Sequence, residues 1–201
     1  MTIFSQRRSI RKYDENEKIN DKTLKEIIEL AKLAPSSMNL QPTRLLVIKS
    51  EENKAKLKNI FYGNLSQLNT SSHIIVLFTN LKKFDDAPKI FSEAYNNKII
   101  PKNIMDDQIK KISDTKNLIS QEKIIEDGFL DAGMFAMQFM LVLKKFGYDS
   151  CPIGGFNKKI INDVFNIDKN LYPVLIISIG KKAEEGFPSY RLSFDDITKI
   201  I

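Results

Sequence analysis

The chain has 201 residues, 42% of them hydrophobic and 28% charged, with a single histidine and a single cysteine. That length suits one domain with a core of its own, while one His and one Cys exclude an internal disulfide and make no metal-ligand set. The formal net charge of +6 is spread as Lys-Lys pairs among Asp and Glu, with no long basic run, so a nucleic-acid partner is not expected.

In chain order, the first feature is a cation cluster, Arg7-Arg8-Ser9-Ile10-Arg11. Asn20-Asp21 offers a helix N-cap, and Leu24, Ile27, Ile28 and Ala31 follow at helical spacing, which predicts a helix over about 22–33 that Pro35 stops. Residues 44–48 (RLLVI) read as a short strand and 51–61 as a second helix. The continuous apolar run at 74–79 (IIVLFT) predicts a strand buried on both faces. Residues from about 81 to 120 are polar and read as a less regular excursion of helices and loops over the core.

A long helix is predicted over 121–146, apolar on nearly every face from Phe129 onward. Such a helix must be covered all round, either at the centre of the domain or at a subunit interface. Its apolar stretch is broken by Asp131, Gln138, Lys144 and Lys145, so it is no membrane span. The opening residues carry no leader pattern, and a cytoplasmic location is the expectation. Gly147 is a helix stop. A short strand near 148–151, the turn Pro152-Ile153-Gly154-Gly155, a short helix over 158–165 capped by Asn157 and a strand over 173–179 complete the pattern. Strands alternating with helices favour a mixed sheet covered by helices.

Protein-borne catalytic groups are few. His73 precedes a buried strand and reads as a hydrogen-bonded structural histidine, and Cys151 as a small buried filler. No GxSxG, P-loop or GxGxxG pattern occurs. If the chain is an enzyme, a cofactor carries the chemistry. Arg7, Arg8, Ser9 and Arg11 suit a phosphate, because guanidinium forks donate paired hydrogen bonds. Ser36, Ser37, Asn39, Asn64 and Gln67 suit a polar heterocycle or a ribityl-like chain. Gly154-Gly155 permits close approach of backbone to a flat ring, and Arg191 adds a cation far along the chain.

Arg7–Arg11, Ala34–Pro42, the segment Phe146-Gly-Tyr-Asp-Ser-Cys-Pro-Ile-Gly-Gly-Phe156 and a late Tyr190-Arg191 occur here in one order. That order resembles the FMN-dependent nitroreductase family over roughly residues 3 to 197. The resemblance implies an α+β fold with a central mixed sheet flanked by helices in three layers, as one domain over 1–201. It also implies an intertwined homodimer with FMN at the interface. Arg7, Arg8, Ser9 and Arg11 would then meet the FMN phosphate and the pyrimidine edge, and Arg191 would complete the phosphate grip. Many members carry a basic residue where this chain has Ser189. Pro35, Ser36, Ser37 and Asn39 would come from the other subunit. Asn64 and Gln67 would meet the ring system, and Pro152, Ile153, Gly154 and Gly155 would pack along it. The implied reaction is hydride transfer from NADH or NADPH through flavin N5 to nitroaromatic or quinone-type acceptors, by a ping-pong route. Flavin reduction, dehalogenation, another oxidation on the same fold, or a non-catalytic FMN sensor are the alternatives, and neither a membrane nor a nucleic acid is an expected partner.

Overall fold

The computed structural model describes residues 2–201. After a short helix α1 (Ile3–Gln6), helix α2 (Asp21–Ala31) starts as predicted, with the Asn20 side chain accepting the Thr23 N–H at 2.8 Å. A 3-10 turn (Ser37–Asn39) leads into β1 (Thr43–Ile48). Helices α3 (Glu51–Lys56) and α4 (Leu65–Thr70) follow, then β2 (His73–Asn80). The predicted helix over 51–61 ends early, because Leu57 and Ile60 turn into the core and Phe61 bridges to Phe156.

Residues 81 to 120 form regular structure: a 3-10 turn (Lys83–Asp86), α5 (Ala87–Asn96) and α6 (Lys102–Lys116). They enclose an apolar cluster of their own, in which Phe84, Ala87, Phe91 and Ile112 pack with Leu40. Helix α7 (Gln121–Lys145), strand β3 (Asp149–Ile153), the single-turn α8 (Ile161–Val164), β4 (Leu171–Gly180) and α9 (Phe194–Ile197) complete the chain.

The sheet order is β1-β2-β4-β3, and all of these strands pair antiparallel. Among the described residues, the parallel component expected of a mixed sheet is a single bridge, Ser9 with Ser150. Prolines sit where a sheet tolerates them. Pro152 lies on the edge strand β3, and Pro173 lies at the register shift opposite Phe78. The run IIVLFT is buried on both faces, and the period of two divides it. Ile75 and Leu77 pack with α2 and α7, whereas Ile74, Val76 and Phe78 pack with Leu57, Ile60, Leu68 and Ile161. Helices on both faces of one sheet give an α+β molecule of three layers.

Of the two expected settings for α7, the domain centre is corrected, because one chain covers the helix on one side only. Ala132, Phe135, Ala136, Phe139, Met140 and Leu143 are buried, but Leu130 is 66% and Met137 41% exposed. Spacing explains the difference: residues 130 and 137 share a helix face opposite the one that meets the sheet. Among the described residues, no helix is long and apolar enough to cross a membrane.

Candidate cofactor site

The N-terminal arm is stitched along the edge of β3 and the end of β4. The Ile10 N–H donates to the Ser150 carbonyl at 3.1 Å, Asp14 to Lys181 at 2.8 Å, and Ala183 returns a bond to Lys12 at 3.0 Å. Tyr13 is the anchor: its ring is buried, its N–H donates to Thr70 Oγ1 at 3.1 Å, and its hydroxyl reaches the Ser178 carbonyl at 3.0 Å. Burial pushes the Tyr13 phenol well above its ordinary range, so it stays a neutral hydrogen-bonding group. The arm is therefore fixed while its arginines remain at the surface.

The C-terminal segment crosses this arm. Gly186 makes the crossing possible, since a Cβ there would stand 2.5 Å from Arg8 Cβ and 3.2 Å from the Ser9 carbonyl oxygen. Phe187 follows, and the Arg11 guanidinium lies over its ring at 5.2 Å from the centroid. The result is a cavity of about 180 Å³ lined by Arg7, Arg8, Ser9, Arg11, Phe187, Pro188, Ser189 and Arg191. Arg8 donates to the carbonyls of Ser5 and Arg7, and Arg191 to that of Tyr190. Among the described residues none of these four arginines pairs with a carboxylate, and Arg44, paired with Asp86 at 2.7 Å, is the arginine that does. Four guanidiniums without a counter-charge favour an anion strongly.

Asn64 and Gln67 border the same region. Asn64 takes a left-handed backbone (φ 59°) at the head of α4, and Gln67 Nε2 donates to Asn64 Oδ1 at 3.0 Å. The next residue over, Ser66, donates its hydroxyl to the Arg11 carbonyl at 2.9 Å, which ties α4 to the arm. Gln67 Nε2 also stands 4.0 Å from Cys151 Sγ, and the Tyr62 N–H bonds the Gly155 carbonyl at 3.1 Å. Pro152, Gly154 and Gly155 thus continue the surface that begins at the arm, whereas the Ile153 side chain is buried in the core with Phe61 and Phe156. Among the described residues, a Cβ on Gly154 or Gly155 would meet no atom beyond its chain neighbours within 4 Å, so none of them requires glycine at these positions.

Pro35, Ser36, Ser37 and Asn39 lie elsewhere. Their loop has Met38, Asn39 and Gln41 at positive φ (52°, 55° and 47°), and Ser36 Oγ accepts the Gln41 N–H at 2.9 Å. Pro35 and Ser36 line a cavity of about 160 Å³ with Lys32, Arg44, Asp131 and Phe135, which shares no residue with the arginine cavity. One chain therefore gathers Arg7, Arg8, Ser9, Arg11, Asn64, Gln67, residues 152–155 and Arg191 on one side. It carries residues 35–39 on another.

His73 and Cys151 take no part as nucleophile and base. The His73 ring is buried, with Nδ1 2.9 Å from Ser72 Oγ, and Cys151 is a buried free thiol that burial pushes above its ordinary pKa. Among the described residues no group of three His, Cys, Asp or Glu side chains could hold a metal. Three contributors escaped the sequence reading: Gly186, Phe187 and Asp131, whose Oδ1 accepts the Ser37 N–H at 2.8 Å. Asp131 did carry a visible signal, as the lone carboxylate in an apolar helical run.

A model of the nitroreductase family matches residues 4–181. The chain is 40% identical over 200 residues to "Putative NAD(P)H nitroreductase YdgI" of Bacillus subtilis, covering 99% of this chain and 96% of that protein. Among solved structures, a nitroreductase-type protein of Exiguobacterium sibiricum, crystallised in complex with FMN, superposes with a TM-score of 0.96 at 40% identity, covering 99% of this chain and 95% of that one. A protein of Staphylococcus epidermidis described as a "putative NAD(P)H:FMN oxidoreductase" superposes equally well, with a TM-score of 0.96 at 37% identity and coverage of 99% and 94%.

Proposed function

The chain belongs to the nitroreductase family, and from that premise we propose that it is an NAD(P)H-dependent FMN oxidoreductase working as a homodimer. The observation that carries this reading is the cavity in which two distant chain segments place Arg7, Arg8, Arg11 and Arg191 without a carboxylate partner. FMN held there would supply the redox chemistry, namely hydride transfer from NADH or NADPH through flavin N5 to a nitroaromatic or quinone by a ping-pong route.

The residues present fit that group. Arg7, Arg8, Ser9 and Arg191 hold the phosphate, whose charge their guanidiniums balance. Arg11, steadied by Phe187, meets the pyrimidine edge and favours negative charge there. Asn64 and Gln67 offer amide donors and acceptors to the polar edge of the ring. Pro152, Gly154 and Gly155, with the backbone of Ile153, lie along the flat face, and the open space over the two glycines is the room a Cβ would fill. Pro35, Ser36, Ser37 and Asn39 serve the flavin of the partner, which accounts for their separation from the arginine cavity. The exposed Leu130 and Met137 and the exposed tail side chains Phe187, Tyr190, Leu192, Phe194 and Ile197 are apolar surface for that dimer to cover.

The purified protein should be yellow with FMN, bleach anaerobically on addition of NADH or NADPH, and recover its colour when a nitroaromatic or quinone is added. A protein that binds no added FMN overturns the reading. Bound flavin that neither nicotinamide reduces overturns the oxidoreductase assignment alone.

A further inference from the structure

Asp131 and Lys83 form a buried couple with no place in the cofactor contacts above. Both side chains are 1% exposed, and Lys83 Nζ lies 3.8 Å from Asp131 Oδ2 and 4.0 Å from Asp127 Oδ2. Neither Lys83 Nζ nor Asp131 Oδ2 has a hydrogen-bond partner among the described residues. Burial opposes both charges: it holds the Lys83 ammonium below its ordinary pKa and pushes the Asp131 carboxyl up. A buried pair of this kind contributes little to stability compared with apolar side chains of similar size. Its use must be sought in what it positions.

The other oxygen of Asp131 answers this. Oδ1 accepts the Ser37 N–H at 2.8 Å, inside the loop whose Met38, Asn39 and Gln41 all have positive φ. Such a backbone persists only where its surroundings determine it. Beyond its own hydrogen bonds and the Arg44 guanidinium that donates to the Gln41 carbonyl at 2.7 Å, the loop is fixed at two points. Leu40 is buried against Phe84 and Phe91, and Ser37 is tied to Asp131. Lys83, next to Phe84, opens the 81–120 excursion, so both ties run to the root of that excursion.

We propose that the Lys83–Asp131 couple is a positioning device for the cofactor site, in which the Asp131 carboxyl, seated beside Lys83, accepts the Ser37 N–H and so holds the Ser36–Gln41 loop in the shape that presents Ser36, Ser37 and Asn39 to the partner's flavin. The proposal rests on the FMN reading above. What the loop needs at this point is a side-chain oxygen that accepts the Ser37 N–H, which a carboxyl or an amide of the same length supplies. Lys83 stabilises the ionised form that burial disfavours.

The test uses the FMN-loaded dimer and two variant pairs. Lys83→Met/Asp131→Asn removes both charges and keeps an acceptor for Ser37. Lys83→Met/Asp131→Leu removes the acceptor as well. The Asn pair should bind FMN within about twofold of the unaltered protein. The Leu pair should bind it about tenfold more weakly, with a shifted flavin midpoint potential and a melting temperature no lower than that of the Asn pair. Ser37→Pro deletes the N–H along with the hydroxyl, and Ser37→Ala deletes the hydroxyl only; the position opens a 3-10 turn preceded by the extended Ser36 (ψ 156°). Ser37→Pro should bind FMN about tenfold more weakly than Ser37→Ala, which keeps the donor. Equal FMN affinity and potential in the Asn and Leu pairs, or in Ser37→Pro and Ser37→Ala, overturn the proposal. So does a loss of affinity that merely follows a lowered melting temperature. If the unaltered protein binds no FMN, the functional reading has failed first, and the variants are not its cause.

Discussion

His73 is buried, with Nδ1 held by Ser72 Oγ at 2.9 Å and Nε2 without a partner among the described residues. Ser72 Oγ already accepts the Ile19 N–H at 2.8 Å, so its own proton is free for Nδ1 and the neutral ring fits the site. Burial first, and the nearby Lys54 ammonium second, push the imidazole down to about 4. An unfolded histidine takes up its proton near 6.5, so between pH 6.5 and 4 the unfolded chain binds more protons than the folded one. This contribution is complete above pH 6.5 and lost as the pH falls toward 4, with a size of about 1–3 kcal/mol. Melting temperatures measured across that interval should fall more steeply for the unaltered protein than for His73→Gln, and equal slopes would remove His73 from the account. The residue type and its place before a buried strand gave the structural role away in the sequence. The tautomer did not, because it depends on Ser72 and Ile19, which only the fold brings to the ring. The same holds at the site. Arg7–Arg11 was readable as an anion grip from side-chain chemistry alone. Gly186 was not, because its need for a hydrogen in place of Cβ arises from Arg8, far away in sequence.

Between elements, α7 comes close to the sheet where it crosses the end of β2. A Cβ on Gly128 would stand 2.4 Å from Thr79 Oγ1 and 2.8 Å from Thr79 Cβ. Thr79 belongs to a central strand and cannot move without its neighbours β1 and β4. Gly128→Ala should therefore destabilise by about 1–3 kcal/mol, although alanine normally favours a helix. Denaturant unfolding of the two proteins decides this, and an unchanged midpoint would mean that α7 can lift away. Helical and strand periods made α2, β1, β2, α7 and β4 legible, since each buries a face that its own sequence announces. The 81–120 excursion was read as less regular because its helices are rich in Lys, Asn and Asp. Their apolar residues find partners in each other and in Leu40, a contact that no local pattern contains. The single turn of α8 and the early end of α3 reflect the same competition, in which core contacts override a locally helical sequence.

At the scale of the molecule, α7 poses a question that one chain does not answer. Leu130, Met134, Met137 and Leu141 share a face at helical spacing, Gly133 lies among them, and Leu130 and Met137 are exposed. Gln138 Nε2 donates to the Leu30 carbonyl at 2.8 Å, which places the end of α2, with its exposed Leu30 and Leu33, beside this face. In the proposed dimer the face becomes the contact, and the flavin draws Arg7–Arg11 from one chain and Pro35–Asn39 from the other. Assembly and cofactor binding are then one equilibrium. Leu130→Glu/Met137→Glu places two charges on the face, and a two-fold axis doubles them to four. Burying an apolar side chain of this size contributes about 1.5–3 kcal/mol, and burying an unpaired carboxylate costs more than that gain. The variant should sediment as a monomer and keep its helical circular dichroism, because both side chains are exposed and neither belongs to the core cluster that α7 forms with the sheet. It should also lose FMN on gel filtration, since each half-site retains the arginine cavity without the loop that covers the ring. A monomer that holds FMN as tightly as the unaltered protein would mean that one chain builds the whole site. A dimer that persists with its flavin would move the interface to another face.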